Sequence, residues 1–299
     1  MKKLFFATLA IAALASCNKD QVINFDKFPI NFGEAFVDNS VRATDNTYGV
    51  KALTAFKVYG TVTGTAGTVN IFNGDAVTGT VGQNVWSCDN QQYWIPGADY
   101  NFAAVVDANA VGQDTYKMPT TITYQTEGQK DLLYATATVD NATATQELVN
   151  FTFSHLLSKA QFTVTSNTAG GYYHSVTGIK VSNFETGTYT IAGGTWAGTT
   201  PKDIEFGSVE EVTAESGEKT NLTQVLLIPN TATFNVSFTV ELYKDGVKLG
   251  TETITKAVET NLVAGHAYNF TIACSVGNPI QFKVENDPTW ADEPDITVQ

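Results

Sequence analysis

A chain of 299 residues is long enough for about two domains, each able to bury its own core. Its 30 acidic against 17 basic side chains give a formal charge of -13, a balance that repels phosphate backbones and argues against nucleic acid as a partner. Threonine, valine, glycine, tyrosine and phenylalanine are abundant and good helix formers are sparse, which points to an all-β protein.

The chain opens with Lys2 and Lys3, an apolar stretch from Leu4 to Ala15, and Leu14-Ala15-Ser16-Cys17. Charge, apolar core and small residues fall in the order of a secretory signal, and the stretch is too short to span a bilayer. The cysteine directly after Leu-Ala-Ser resembles the lipobox of bacterial lipoproteins, in which cleavage between Ser16 and Cys17 leaves an acylated Cys17 as the first mature residue. Loss of residues 1–16 takes Lys2 and Lys3 away and moves the formal charge from -13 to -15.

Residues 17–42 follow as a separate segment. A polar tether, Asn18-Lys19-Asp20-Gln21, leads to Phe28-Pro29-Ile30-Asn31-Phe32, where Phe28, Ile30 and Phe32 alternate as in a strand. Proline inside it favours an edge or a strand end. The loop beyond carries Arg42, the sole arginine of the chain, which on composition alone reads as a solvated loop residue.

Short alternating runs then recur between turn signals. Val69 and Ile71 precede Asn73-Gly74, a turn dipeptide, and Tyr100, Phe102 and Ala104 alternate. The anchor-poor stretch at 140–146 places a boundary at 145–150, with a margin of ten residues and a fresh strand from Leu148. This divides the mature chain into an N-terminal domain at 43–147 and a C-terminal domain at 148–299, both read as antiparallel β-sandwiches. In the second, Ala160, Phe162 and Val164 alternate, and Asp245-Gly246 between Val236–Leu242 and a return strand through Leu249 predicts a hairpin. Ile280, Phe282 and Val284 alternate near the end, as do Ile296 and Val298. No internal repeat stands out.

No catalytic constellation emerges. His155, His174 and His266 lie in different segments without metal-ligand spacing; His155 reads as structural and His174 as exposed. Glycines cluster at Gly60, Gly64 and Gly67 and at Gly193-Gly194, neither with a phosphate-loop pattern, and no cofactor or metal is expected. Cys274 ends the run Tyr268, Phe270, Ile272 and so faces a core, Cys88 follows Trp86 at the same spacing, and a pairing between the two is left open. Trp86 and Trp94 read as core, whereas Trp196 in a glycine-rich loop has the best claim to exposure.

Several pieces together resemble the fimbrillin-like pilins and related lipoproteins. They are the lipobox cysteine, Phe28–Phe32, Val41-Arg42-Ala43-Thr44, Phe56-Lys57-Val58-Tyr59-Gly60, Tyr93–Gly97 with Tyr100-Asn101-Phe102, and Phe153–Lys159. The resemblance implies two β-sandwich domains of transthyretin-like topology and a maturation route. An arginine-specific protease would cut Arg42-Ala43, releasing the strand whose Phe28, Ile30 and Phe32 fill an apolar groove, and a strand of another pilin subunit would take its place. Ile280, Phe282 and Val284, or Ile296 and Val298, are the candidate C-terminal donor; they serve equally as last strands of the second domain. The expected setting is the cell surface, with an outer-membrane lipid anchor, a fimbrium, and a host protein or glycan as ligand. The alternative is a tethered glycan-binding lipoprotein that captures sugar on exposed aromatics, Trp196 foremost.

Overall fold

The computed structural model describes residues 28–37, 53–79, 85–143, 148–217, 222 and 224–288. The first half of the chain forms β1 (Phe32–Val37), β2 (Ala55–Gly64), β3 (Gly67–Thr78), β4 (Ser87–Cys88), β5 (Asp99–Val106), β6 (Ala110–Gln113), β7 (Pro119–Gln125), β8 (Leu133–Val139) and β9 (Val149–His155). The second half adds β10 (Ser158–Ser166), β11 (Tyr172–Thr190), β12 (Thr195–Val212), β13 (Val225–Leu227), β14 (Phe234–Lys244), β15 (Val247–Val258), β16 (Ala267–Cys274) and β17 (Gln281–Asp287). No α-helix occurs among the described residues, in keeping with the β-rich composition.

Seven strands make the first sheet, in the order β1-β9-β8-β5-β2-β3-β4. Its inward residues are large and aromatic: Phe56, Phe72, Trp86, Trp94, Tyr100, Phe102, Phe151 and Phe153 are all buried in one core. Gly60 makes room for this packing, because a Cβ there would lie 2.9 Å from the Phe72 ring and 3.0 Å from that of Phe102.

The second body pairs the sheet β13-β10-β16-β17 with the sheet β15-β14-β11-β7-β6, to which β12 adds along β11. The expected alternations pack between them: Ala160, Phe162 and Val164 from β10, and Tyr268, Phe270, Ile272 and Cys274 from β16. The Asp245-Gly246 hairpin forms as expected, both residues at positive φ (46° and 82°) between β14 and β15.

Three readings of the sequence are corrected. Asn73-Gly74 does not end a strand: β3 runs through it, Val58 pairs with Asp75 and Tyr59 with Asn73, and Gly74 (φ 78°) is the extra residue of a bulge. The strand from Leu148 does not open the second body; β9 pairs with β8 and β1, and its Val149, Phe151 and Phe153 sit in the first core. β7, from the first half, instead pairs with β11 of the second body, and the chain crosses over at Leu156–Ser158.

There is also a repeat. Residues 93–102 and 261–270 each carry a glycine at positive φ (Gly97, 80°; Gly265, 74°) and end in Tyr-Asn-Phe. The Tyr100 hydroxyl accepts from Ile95 N–H (2.6 Å) and donates to Tyr93 C=O (3.3 Å). The Tyr268 hydroxyl does the same with Val263 N–H (2.9 Å) and Asn261 C=O (2.7 Å). Burial raises both phenol pKa values, with a small opposing effect from the backbone bond, so both stay protonated donors.

A third cluster joins the bodies. Tyr59, Ala103 and Val105 on the outer face of the first sheet pack with Ile122, Tyr124, Leu156, Leu157, Leu226 and Ile228.

Candidate subunit-assembly site

Residues 28–37 are held on two sides, residues 28–32 against 86–94 and residues 31–37 against β9. On one side β1 runs parallel to β9, and Val149 N–H donates to Asn31 C=O (2.9 Å). On the other, Trp94 N–H donates to Phe28 C=O (2.8 Å), Ile30 N–H to Gln92 C=O (2.8 Å), and Trp86 N–H to Phe32 C=O (2.9 Å). The Gln91 side chain adds a bond to Ile30 C=O (3.1 Å). Antiparallel bridges Pro29–Tyr93 and Phe32–Trp86 therefore join β1 to the stretch around β4, which is the far end of the sheet order. The N-terminal segment thus links the two ends of its own sheet.

Alternation decides which side chains turn inward. Ile30 is 2% exposed and Phe32 0%, Phe28 is half-buried, and Pro29 points to solvent. A register shift between Phe32 and Ala35 then brings Ala35 back to the core face. The Phe32 ring lies 5.5–6.4 Å from those of Phe56, Phe72, Phe102 and Phe151, edge-on to three and stacked on Phe151. Burying Ile30 and Phe32 contributes about 1.5–3 kcal/mol each, and each favourable ring pair adds about 0.5–1.5 kcal/mol. One strand thus carries a large part of this core.

Trp86 and Trp94 form the wall beside it, and sequence reading placed them only as core. Both are buried, and both indole N–H groups lack a hydrogen-bond partner among the described residues. Their spacing of eight, astride Gln91 and Gln92, was the signal that one segment lines the strand along its length.

The other expected site residues fall as follows. Ser16, Cys17, Arg42, Ala43, Ile296 and Val298 lie outside the described residues. Ile280, Phe282 and Val284 lead into or lie on β17, which among the described residues is an edge strand paired to β16, and pack half-buried against the second core. Cys88 and Cys274 are both free; burial pushes the Cys274 thiol up to about 12.

Two further expectations are corrected. Trp196 is no open platform: it is half-buried in the cluster between the bodies, and its Nε1–H donates to Leu156 C=O (2.8 Å). His174 is 4% exposed rather than solvated, with Nδ1 2.9 Å from Ser166 Oγ, and burial lowers its pKa. His155 is buried, its Nδ1 2.5 Å from Asp131 Oδ2. Among the described residues no group of three or more His, Cys, Asp or Glu side chains is placed to hold a metal.

The model of the fimbrillin-like family matches residues 41–286. That of the prokaryotic membrane lipoprotein lipid attachment site matches residues 1–18. No curated protein matches the sequence significantly. Among solved structures, a fimbrial protein from Bacteroides vulgatus is similar over 87% of this chain and 99% of its own, at 16% identity and a TM-score of 0.63. A candidate cell adhesion protein from Bacteroides ovatus gives 16% identity and 0.58 over 89% and 99%, and one from Bacteroides uniformis 18% and 0.52 over 88% and 99%. At these identities the likeness establishes the fold. The lipid attachment site and the family locate the protein at the cell surface, anchored to the membrane. On the family match across most of its length, this chain belongs to the fimbrillin-like family.

Proposed function

We propose that the protein is a structural subunit of a surface fimbrium, or an adhesin associated with one, which matures by losing its first strand. Cleavage of Arg42-Ala43 by an arginine-specific protease separates lipid anchor and residues 28–37 from the rest of the chain. The vacated groove, lined by Phe56, Phe72, Trp86, Phe102 and Phe151, then takes a strand from another subunit. The observation that carries this reading is the placement of residues 28–37 ahead of the sole arginine and between both ends of the sheet. Open edges with apolar pockets recruit strands, main-chain bonds supplying affinity and alternate side chains supplying register. Head-to-tail addition of this kind grows an open filament.

The test is digestion of the folded, delipidated chain with an arginine-specific protease, with N-terminal sequencing and size analysis of the product. A new N-terminus at Ala43 and a ladder of oligomers are expected, and Arg42→Ala abolishes both. A chain cut at Arg42 that stays monomeric at high concentration sinks the strand-exchange reading.

A further inference from the structure

The corner beside the N-terminal segment presents apolar side chains on a firmly held backbone. Tyr93 is 40% exposed and Ile95 55%, and Pro96 and Gly97 after them are exposed as well. Ala98 N–H donates to Ile95 C=O (3.2 Å), and Gly97 (φ 80°) follows Pro96, the arrangement of a type II turn. That turn is pinned from outside. Ile95 N–H donates to the Tyr100 hydroxyl (2.6 Å), Gly97 N–H to Ala142 C=O (2.8 Å), and Ala142 N–H to Ala98 C=O (2.9 Å). None of these bonds uses the side chain of Tyr93 or Ile95.

Pairing places this corner at one pole of the first sheet. Thr63 lies opposite Asp99 and Tyr100 opposite Val139, so the stretches 64–67, 95–99 and 139–143 come together there. They carry two acids, Asp99 and Asp140, and no basic residue. Asp99 Oδ1 is engaged by Asn141 N–H (2.8 Å). The opposite pole, where Val106 meets Leu133, is the one that passes into the second body. The repeat at 261–270 supplies a contrast. There Asn261 stands for Tyr93 and Val263 for Ile95, and His266 N–H donates to Val263 C=O (3.2 Å) as Ala98 does to Ile95. Gly265 N–H, however, bonds Leu157 C=O (2.8 Å) at the crossover. The same corner thus carries an aromatic and a large aliphatic residue at the free pole, and an amide and a smaller aliphatic at the junction.

Chain length says what the free pole meets. Trp94 N–H donates to Phe28 C=O (2.8 Å), so the N-terminal segment enters the fold at this corner. Phe28 is the described residue nearest Cys17, eleven positions before it, a reach of at most about 40 Å. A short tether raises the local concentration of whatever holds its other end, and so fills a contact too weak to form alone. Resting on the acylation of Cys17, we propose that this pole is a membrane-contact surface of the uncut chain, with Tyr93 and Ile95 entering the headgroup region of the bilayer that holds the anchor. The occupant is a zwitterionic lipid surface. A tyrosine with its apolar ring and polar hydroxyl, beside an aliphatic side chain, suits the boundary between headgroups and acyl chains. Two acids without a lysine or arginine disfavour an anionic surface. The contact sets the first body against the lipid and turns the second body outward.

The test uses the full acylated chain with Cys88→Ser, reconstituted in phosphatidylcholine vesicles. Cys274, buried and with its thiol pushed up to about 12, stays. A nitrobenzoxadiazole fluorophore is attached through Thr65→Cys, an exposed position in the neighbouring turn, or through Val263→Cys at the junction. The junction is a strand length away, about 25 Å. Part of the phospholipid carries a nitroxide on the acyl chain close to the headgroup. The expected result is loss of emission from the probe at position 65 and none at position 263. Tyr93→Ser with Ile95→Ser abolishes the quenching at 65, while flotation with the vesicles and the urea midpoint stay unchanged. Quenching weakens when phosphatidylglycerol replaces part of the phosphatidylcholine; strengthening overturns the assignment of a zwitterionic surface. Chain that floats with the vesicles but is quenched at neither position overturns the contact and leaves the anchor standing. Quenching that survives the double substitution, or equals that at 263, overturns it too. A blue shift at 65 without quenching, rising with the number of chains per vesicle, gives the pole to a second copy and overturns the proposal. Chain that fails to float removes the acylation of Cys17, and this inference with it.

Discussion

Phe32 shows how much one side chain can hold. It is wholly buried among four phenylalanine rings, yet it belongs to a segment that precedes Arg42 in the sequence. Phe32→Ala costs the uncut chain about 3–5 kcal/mol by urea unfolding, and leaves the stability of chain cut after Arg42 unchanged. Dependence in both forms would mean that the strand does not leave. His174 makes a second residue-scale prediction. Its folded pKa is depressed by burial, so the unfolded chain binds the proton more readily. Stability is therefore full above the ordinary histidine pKa of about 6.5 and falls as pH drops through it towards the folded value. His174→Gln flattens that slope, read from urea midpoints at a series of pH values. Neighbouring glycines gave Trp196 an exposed look, but it lies at the start of β12, where that strand packs into the cluster between the two bodies. No local pattern announces that burial, nor that of His174, which bonds Ser166 and pairs with Val212 and Leu242 far along the chain.

At the scale of elements, alternation in β14 and β16 was legible because each buries a single face, while in β5 and β10 the larger residues still alternate although the second face is buried too. Asn73-Gly74 misled because the same left-handed glycine that closes a hairpin also builds a bulge; which one forms depends on a partner strand, here β2. The repeat at 93–102 and 261–270 escaped notice because outside Gly and Tyr-Asn-Phe the residues differ, and its unity lies in hydrogen bonds from one hydroxyl. Once matched, the two copies expose a difference between the bodies. The strand position facing Trp94 is filled by Phe28, from the N-terminal end of the chain, whereas that facing Leu262 is filled by Asn230, from its interior. A single cut can free the first and not the second. That contrast explains in physical terms why the expected removable segment is N-terminal.

Across the whole molecule, β7 leaves the first half of the sequence to pair with β11, and Leu156, Leu157, Ile228 and Tyr124 fill the space between the bodies. The boundary was hard to read because it lies across strand partners, not at a polar linker: the anchor-poor stretch near 140–146 is followed by another strand of the first sheet. The shared core predicts that both bodies unfold in one transition. Trp196→Ala removes a ring and the bond to Leu156, costs about 1–3 kcal/mol, and separates the transitions followed by probes in each body. If the two bodies already melt apart in the unaltered chain, the cluster does not couple them.

One consequence follows from how residues 28–37 meet β9 on one side and the stretch beside β4 on the other. Those two places are at opposite ends of the strand order, so withdrawal of the segment releases them together. The amides of Val149 and Trp86, 63 positions apart in the chain, have their acceptors on this one segment. They become open to hydrogen exchange in the same step and at the same rate. The number of loose ends in the sheet passes from none to two without stopping at one, which makes the state of the subunit a matter of yes or no.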